Sequence, residues 1–202
     1  MSADENCFDL IEENFLKKEI GSGNQAAFRK VYHHFYKKLL QFAFVLTRQK
    51  EVAEELVEDV FIKFWKNKQS AENIRNLKVY LYTATKNTCL NYLSSKANEN
   101  ITRPFDAINI EIAGTLSPDQ ILIYRETYAK IKTTIETLPP RCKMIFKLIR
   151  EDGLKYKEVA EILNLSLSTV ETQMTIAIRR IAFIIKEDFE KIPSASGSKN
   201  KS

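Results

Sequence analysis

Residues that break helices are scarce in this chain, and their scarcity restricts its fold more than any other feature does. Only five glycines and five prolines occur among 202 residues, whereas β-sheets need many turns rich in Gly, Pro, Asn and Asp. Apolar residues recur instead at the three- and four-residue spacing of amphipathic helices. An all-α fold is expected, with helices near residues 4–20, 24–36, 37–47, 51–67, 76–96, 117–137, 141–151, 157–163 and 167–181.

A change in composition divides the chain into two predicted domains. Residues 98–118 contain Arg-Pro, Gly and Ser-Pro, show little helical period and exceed the usual length of a connection inside a compact domain. We therefore predict two small helical domains, residues 24–97 and 119–188, joined by this segment as a flexible linker. Residues 1–23 are predicted to be an N-terminal extension, and the polar residues 189–202 a disordered tail.

Charge, cysteine usage and missing motifs narrow the functional class. The formal charge of +5 permits binding to a polyanion, although many proteins with no nucleic-acid partner carry as much. Cys7, Cys89 and Cys142 lack the paired spacings of zinc or redox sites. His33 and His34 are adjacent and make a poor metal pair. With no phosphate loop, zincin motif or nucleophile elbow, we expect neither an enzyme nor a cofactor, metal or small-molecule substrate.

Targeting signals are also lacking in the sequence. No run of about twenty apolar residues is present, so no membrane span is expected. The first residues are acidic and have no apolar segment of the kind that a secretion signal carries. The sequence therefore predicts a cytoplasmic protein.

The most specific motif covers residues 156–181. A short amphipathic helix is followed by a three-residue turn and a second helix, and Ala160 supplies the small residue that a close helix crossing needs. Asn164 tolerates the left-handed conformation of such a turn. Either Ser166 or Ser168 caps the second helix, and Glu171 stands at the capping-box spacing from Ser168. This pattern predicts a helix-turn-helix; the alternative is an ordinary helical hairpin with a solvated outer face.

A helical wheel separates two faces of the second helix. The inner face, expected to pack on the preceding helices, holds Val170, Met174, Ala177, Ile178 and Ile181. The outer face and its flanks form a mostly polar surface that suits a major groove, where Gln bonds adenine, Glu accepts from cytosine and an apolar group meets the thymine methyl. The candidate DNA-binding residues are Ser168, Thr169, Glu171, Thr172, Gln173, Thr175, Ile176, Arg179 and Arg180.

The predicted helix at 51–67 has an acidic outer face. Its core stripe is expected to be Ala53, Leu56, Val57, Val60, Phe61 and Phe64. The opposite face carries Glu55, Glu58, Asp59, Ile62 and Lys66, and an exposed isoleucine among acidic residues suggests docking on a basic partner. A solvated face with one stray apolar residue is the equally weighted alternative.

The predicted helix at 76–96 combines basic and aromatic residues. Leu77, Leu81, Ala84, Thr88 and Tyr92 are expected to be buried, while Lys78, Val79, Tyr82, Lys86 and Asn87 stay largely outside. Cations for phosphate and a ring for stacking are what an unwound strand requires. The alternative is that Tyr80 and Tyr82 belong to the core.

Three ordered segments together resemble one protein family. AEELVEDVFIKFW, NLKVYLYTATKNTCLNYL and LPPRCKMIF…GLKYKEVAEILNLSLSTVETQM resemble the extracytoplasmic-function (group 4) sigma factors of bacterial RNA polymerase, especially the variety common in Bacteroidetes. The resemblance covers residues 26–185 and implies the two domains of the minimal group, sigma region 2 and sigma region 4.

The resemblance also implies roles for these segments. The 51–67 helix would dock on the clamp coiled coil of the polymerase β′ subunit, and region 4 would meet the β flap and read the −35 element. The 68–75 loop and the next helix would melt and read the −10 element through Asn76, Lys78, Tyr82, Lys86 and Asn87. The linker would follow the RNA exit path.

The resemblance also implies a partner that regulates the protein. Members of the family are usually held by an anti-sigma factor at the inner membrane, which the resemblance extends to this chain.

One departure from the family pattern is that the first turn of the second helix of the helix-turn-helix motif has no Arg or Lys. The alternative within DNA binding is a repressor or response-regulator output module, which leaves the N-terminal segments and the linker unexplained.

Overall fold

The computed structural model describes residues 10–97, 131 and 133–190. All the regular elements in these residues are helices, which confirms the predicted all-α class. We number them α1 to α7, with one 3₁₀ turn between α3 and α4. Their bounds are α1 Leu10–Gly21, α2 Gln25–Thr47, α3 Lys50–Lys66, the 3₁₀ turn Lys68–Asn73, α4 Leu77–Ala97, α5 Pro140–Arg150, α6 Tyr156–Leu163 and α7 Leu167–Glu190. The predicted linker lies outside the described residues, as does most of the helix predicted at 117–137 and of the tail at 189–202.

Helix α2 is continuous, so the predicted division near residue 37 is wrong. No Gly or Pro occurs within it, and one buried stripe runs its whole length. Its start is the predicted one: the Asn24 side chain accepts hydrogen bonds from the amides of Ala26 and Ala27, at 2.9 and 3.3 Å. It ends at Arg48, whose φ of 57° places it in the left-handed region.

Helices α1 to α4 form the N-terminal domain. The core stripe predicted for α3 is confirmed, because all six of its members are buried. Helix α1 packs on α2 and on the 3₁₀ turn, and its Leu16 and Ile20 are fully buried in the same core. The segment predicted as an extension therefore contributes to this domain, although the two family segments of the N-terminal half begin after it.

Helix α1 also fixes the start of α4. The carboxylate of Glu13 accepts a hydrogen bond of 2.7 Å from the Leu77 amide, and the amide oxygen of Asn76 accepts one of 3.0 Å from Val79. Lys17 donates to the Ile74 carbonyl at 2.7 Å and lies 3.4 Å from Glu13. The bonds to the Leu77 and Val79 amides satisfy backbone donors that a helix start leaves without partners.

Helices α5 to α7 form the C-terminal domain and include the predicted helix-turn-helix. Asn164, after α6, has φ 54° and ψ 48°, which confirms the left-handed turn. The Leu165 amide donates to the Ala160 carbonyl at 2.9 Å. Of the two serines proposed as the cap of α7, the structure selects Ser166, whose hydroxyl accepts from the Thr169 amide at 3.1 Å.

The two domains are packed against each other. Helix α4 contacts α6, and a single cluster of buried apolar residues extends from the N-terminal domain to Leu154, Val159 and Ile162 of the C-terminal domain. Part of the side of α4 that α2 and α3 leave uncovered is thus occupied by the C-terminal domain.

We expect Glu13→Ala to destabilise the protein by about 2 kcal/mol. The change removes the carboxylate that caps α4 and leaves the buried Lys17 without its acidic neighbour. Glu12→Ala is the matched control, because Glu12 is exposed one position earlier on the same helix. Urea unfolding measures both variants, and equal losses for the two would contradict the capping role.

Candidate nucleic-acid interface

The outer face of α7 is open to solvent over most of the predicted residues. Thr169 and Gln173 are half-buried, whereas the others on this polar face are exposed: Ser168, Glu171, Thr172, Thr175, Arg179 and Arg180. The Thr172 hydroxyl donates to the Ser168 carbonyl at 2.8 Å, and the Thr175 hydroxyl to the Glu171 carbonyl at 2.9 Å. With their protons so engaged, both hydroxyls offer acceptor lone pairs outward, which suits the amino groups of adenine and cytosine.

Two isoleucines of α7 lie differently from the wheel. Ile176, predicted on the outer face, is half-buried against a small cluster of Leu138, Cys142 and Ala177. Ile178, predicted to be packed, is 43% exposed. The cause is the position of α5 and of the residues before it. They pack against the side of α7 that carries Ile176, so the buried stripe of α7 lies closer to that side than the wheel predicts. The assignment of Ile176 to an open outer face is therefore wrong.

The face of α3 that was predicted to lie outside is exposed to solvent over most of its residues. Glu55, Glu58, Ile62 and Lys66 are exposed and Asp59 is half-buried. Ile62 exposes 49% of its area, which is a large apolar exposure in the middle of charged residues.

An aromatic cleft of about 350 Å³ adjoins this face, and the sequence analysis missed it. It is lined by Phe28, Tyr32, Phe61, Ile62 and Trp65, with Glu58 and Lys66 at its rim. The ring of Phe28 lies 4.9 Å from that of Trp65 between centroids, and burial raises the pKa of Tyr32, assisted by the charge of Glu58. The four-residue spacing of Phe28 and Tyr32 in the sequence was a signal for their shared face.

Helix α4 differs most from the prediction. Asn87 is exposed and Lys78 is half-buried, but Val79, Tyr82 and Lys86 are buried, so their assignment to the outside is wrong. The Tyr82 hydroxyl donates to the Asp152 carboxylate at 2.7 Å, and its ring lies 5.3 Å from Phe42. Burial raises the pKa of Tyr82 and lowers that of Lys86.

The prediction for α4 failed because the helix is covered on two sides. Helices α2 and α3 pack on one side, and α6 packs on the other. A wheel drawn for a helix with one buried stripe assigns the second side to solvent. Tyr80 takes the exposed position expected of Tyr82, with 37% of its area accessible.

The C-terminal domain engages three of the five candidate residues at and before α4. Besides Tyr82, Asn76 donates to the Glu158 carboxylate at 2.8 Å, and Lys78 donates to the Gly153 carbonyl at 3.3 Å. A cleft of about 800 Å³ lies between α4 and α6 at this point, and Asn87 lines it together with Arg75, Tyr80, Lys157 and Glu161.

Two half-buried ionisable groups lie at or near the contact between the domains. Burial raises the pKa of Asp152 to about 6, against the opposing effects of the Tyr82 hydrogen bond and Lys38. Burial lowers the pKa of His34 to about 4, assisted by Lys38 and Lys78. The carboxyl and the imidazole are thus both biased toward their neutral forms.

Among residues 10–97, 131 and 133–190, which the structure describes, no three side chains of His, Cys, Asp or Glu are grouped to hold a metal ion. Among the helices so described, none is both long and apolar enough for a membrane span.

Comparison with known protein families identifies both domains. The model described as "Sigma-70 region 2" matches residues 31–99, and that described as "Sigma-70, region 4" matches residues 128–181. Together they account for more than half of the chain.

Named relatives and solved structures agree with this result. The chain is 26% identical over 173 residues to the ECF RNA polymerase sigma-E factor of Escherichia coli (strain K12), covering 82% of this chain and 90% of that protein. It is 24% identical over 170 residues to the ECF RNA polymerase sigma factor SigW of Bacillus subtilis (strain 168), covering 78% and 88%.

Two solved complexes contain chains of similar fold. One is the sigma factor RpoE in complex with the anti-sigma factor NepR from Bartonella quintana, with a TM-score of 0.54, 23% identity and coverage of 80% of this chain and 98% of that one. The other is CnrH in complex with the cytosolic domain of CnrY, with a TM-score of 0.53, 19% identity and coverage of 87% and 98%.

We expect the raised pKa of Asp152 to appear in the pH dependence of stability. A carboxyl whose pKa rises from its ordinary 3.8 to about 6 in the folded protein contributes stability that is fully present below the lower value and is lost as pH rises through the higher one. The free energy of unfolding of the unmodified protein, relative to that of Asp152→Asn, should therefore increase as the pH is lowered from about 7 to about 5.

Denaturant titrations of both proteins at intermediate pH values measure this difference. His34 is common to both, so its own titration cancels in the comparison. A difference that stays constant over the range would contradict the raised pKa.

Proposed function

The chain belongs to the sigma-70 family, and on this premise we propose that it directs promoter-specific transcription initiation by binding core RNA polymerase, reading −35 and −10 elements and aiding strand opening. The observation that carries this function is the presence, in order on one chain, of region 2 and region 4. A helix-turn-helix repressor or response-regulator output module does not require region 2. The alternative of a transcriptional regulator that acts without core polymerase is therefore rejected.

We propose that the acidic face of α3 docks on the clamp coiled coil of the polymerase β′ subunit. Its support is the exposed Ile62 between Glu55 and Glu58, next to the aromatic cleft that begins at Phe28. An apolar anchor surrounded by charges combines the two properties of strong interfaces: a desolvated centre, and a charged rim that steers association. Region 4 is proposed to meet the β flap.

For the −10 element, we propose contacts from the start of α4 and the 3₁₀ turn before it. Asn76 and Lys78 are half-buried there, and Asn87 is exposed further along α4. Tyr82 and Lys86 are buried, and the Tyr82 hydroxyl is bonded to Asp152 of the C-terminal domain, so Tyr82 can reach DNA only after that bond breaks. Strand opening by binding needs no covalent chemistry, because a flipped base held by the protein offsets a few kcal/mol of unstacking. We therefore propose a protein without catalytic activity.

For the −35 element, we propose that the outer face of α7 enters the major groove of duplex DNA. Ser168, Thr172 and Thr175 reach base edges, while Arg179 and Arg180 meet the phosphate backbone further along the helix. Since the first turn has no cation, much of the affinity is supplied by docking on polymerase.

We also propose an anti-sigma partner. The Bartonella quintana complex pairs a similar chain with an anti-sigma factor, and an anti-sigma factor at the inner membrane would hold this chain in the cytoplasm, close to that membrane, until a signal releases it.

In vitro transcription with core polymerase tests the function. The promoter regions upstream of the protein's own operon are the templates, and reactions are compared with and without the protein. Co-elution with core enzyme and protein-dependent initiation are expected. Absence of both would refute the assignment.

Ile62→Ala should weaken binding to core polymerase by about tenfold, or about 1.4 kcal/mol, because it removes the apolar anchor of the docking face. Ile11→Ala is the matched control, since Ile11 is 77% exposed on α1, outside that face. Fluorescence anisotropy with labelled protein measures both affinities. Equal affinities for the two variants would place the docking surface elsewhere.

Arg179→Ala should weaken binding to a mixed-sequence duplex and reduce by about 1 the slope of log affinity against log salt concentration, as the loss of one phosphate contact requires. Arg29→Ala, an exposed arginine of α2, should leave the slope unchanged. A loss confined to particular sequences would instead indicate that Arg179 reads bases.

A further inference from the structure

Helix α1 runs antiparallel to the segment that leads into α4 and meets it at points spaced four residues apart on one face. The pairs, in order along α1, are Glu13 with Leu77, Lys17 with Ile74 and Gly21 with Glu72. The first two pairs are hydrogen bonds of 2.7 Å. In the third, a Cβ added to the glycine would lie 3.4 Å from the carboxylate. Residues four apart share a face of a helix, so this side of α1 is committed to the segment.

The two hydrogen bonds bracket the corner between the 3₁₀ turn and α4. Lys17 donates to the Ile74 carbonyl at one end, and Glu13 accepts from the Leu77 amide at the other. Only residues 75–76 lie between the anchored groups. The side chain of the first is exposed and that of the second is half-buried. Because the backbone is held on both sides of them, these two side chains have little freedom in direction.

The anchor is a buried ion pair, which is a costly way to gain stability alone. Lys17 and Glu13 are 5% and 8% exposed, and their charged groups lie 3.4 Å apart. Desolvation of two charges offsets much of their attraction, so apolar residues could hold α1 on the domain as well. The ion pair adds direction instead, because each charged group is bonded to one particular backbone group.

From this geometry we propose that Glu13 and Lys17 are positioning residues for the reading of the −10 element. Both are buried and do not touch DNA; they set the place of the corner and thereby the direction in which Arg75 and Asn76 meet a base or a phosphate. This role rests on the proposed function, whereas the anchoring of the corner by α1 does not. Helix α1 precedes residues 31–99, which match region 2, so the anchor and the segment that it holds are separate along the chain.

The test compares Lys17→Met with Lys18→Met in the full chain. Both changes remove one positive charge from α1, but only the first removes the donor to the Ile74 carbonyl, since Lys18 is exposed. The flexible methionine side chain fills the space of the buried stem, so both variants should fold, which circular dichroism verifies. A second pair is Glu13→Gln, which keeps an oxygen acceptor for the Leu77 amide, and Glu13→Ala, which does not.

Two measurements are made on each variant. Hydrogen–deuterium exchange, without DNA or polymerase, follows the amides of residues 74–80. Initial rates of transcription with core polymerase are then compared between the protein's own promoter and the same promoter with single base-pair substitutions in its −10 element. The ratio of these rates is the discrimination. A loss of folded protein lowers both rates alike and leaves this ratio unchanged, so a merely stabilising role of the ion pair would not alter it.

We expect Lys17→Met to accelerate exchange of these amides by about tenfold over Lys18→Met, as the loss of a charged hydrogen bond requires. Discrimination should fall by about fivefold, a part of what one mismatched base pair costs. Glu13→Gln should keep most of the discrimination that Glu13→Ala loses.

Equal exchange in the two methionine variants would overturn the anchoring of the corner. Faster exchange with unchanged discrimination would overturn the positioning role. If the unmodified protein initiates on no template, the proposed function fails and the positioning role with it, whereas the exchange result still decides whether α1 anchors the corner.

Discussion

The packing of α4 on both of its sides is the constraint on which the rest of the structure depends. Its start is fixed by Glu13 of α1, one side completes the core formed with α2 and α3, and the other side receives α6. Two of the residues proposed to contact the −10 element, Asn76 and Lys78, hydrogen-bond the C-terminal domain at this second side. In this structure the same side chains are therefore engaged in the contact between the domains.

The acidic face of α3 and its aromatic cleft lie outside the contact between the domains. The face proposed to dock on polymerase is therefore open while α4 and α6 are packed on each other, whereas Asn76 and Lys78, proposed to contact the −10 element, are engaged by the C-terminal domain. A partner can shift the arrangement of the domains only as far as it prefers one arrangement over another.

Local features were predictable from sequence and long-range packing was not. The buried stripe of α3 and the left-handed Asn164 follow from periodicity and from one residue's conformational preference, both set within a few positions. The burial of Tyr82 depends instead on Asp152, which is 70 residues away in the sequence. A helical wheel drawn for one helix contains no information about a partner at that separation. The prediction for α7 was wrong for the same reason, because the packing of α5 on α7 covers Ile176 and leaves Ile178 exposed. The aromatic cleft combines residues of two helices, which a reading of each helix by itself could not join.

Positive charge on the N-terminal domain lies close to an acidic residue of the C-terminal domain at their contact. Lys38 and Lys78 lie near each other and near His34, whose pKa they help to lower, so this part of the N-terminal domain accumulates positive charge. At the contact that charge is opposed by Asp152, and burial lowers the pKa of Lys38. Opposite charges on the two domains thus meet at this contact, and a phosphate backbone, which the proposed function would bring to the N-terminal domain, carries the same sign of charge as Asp152.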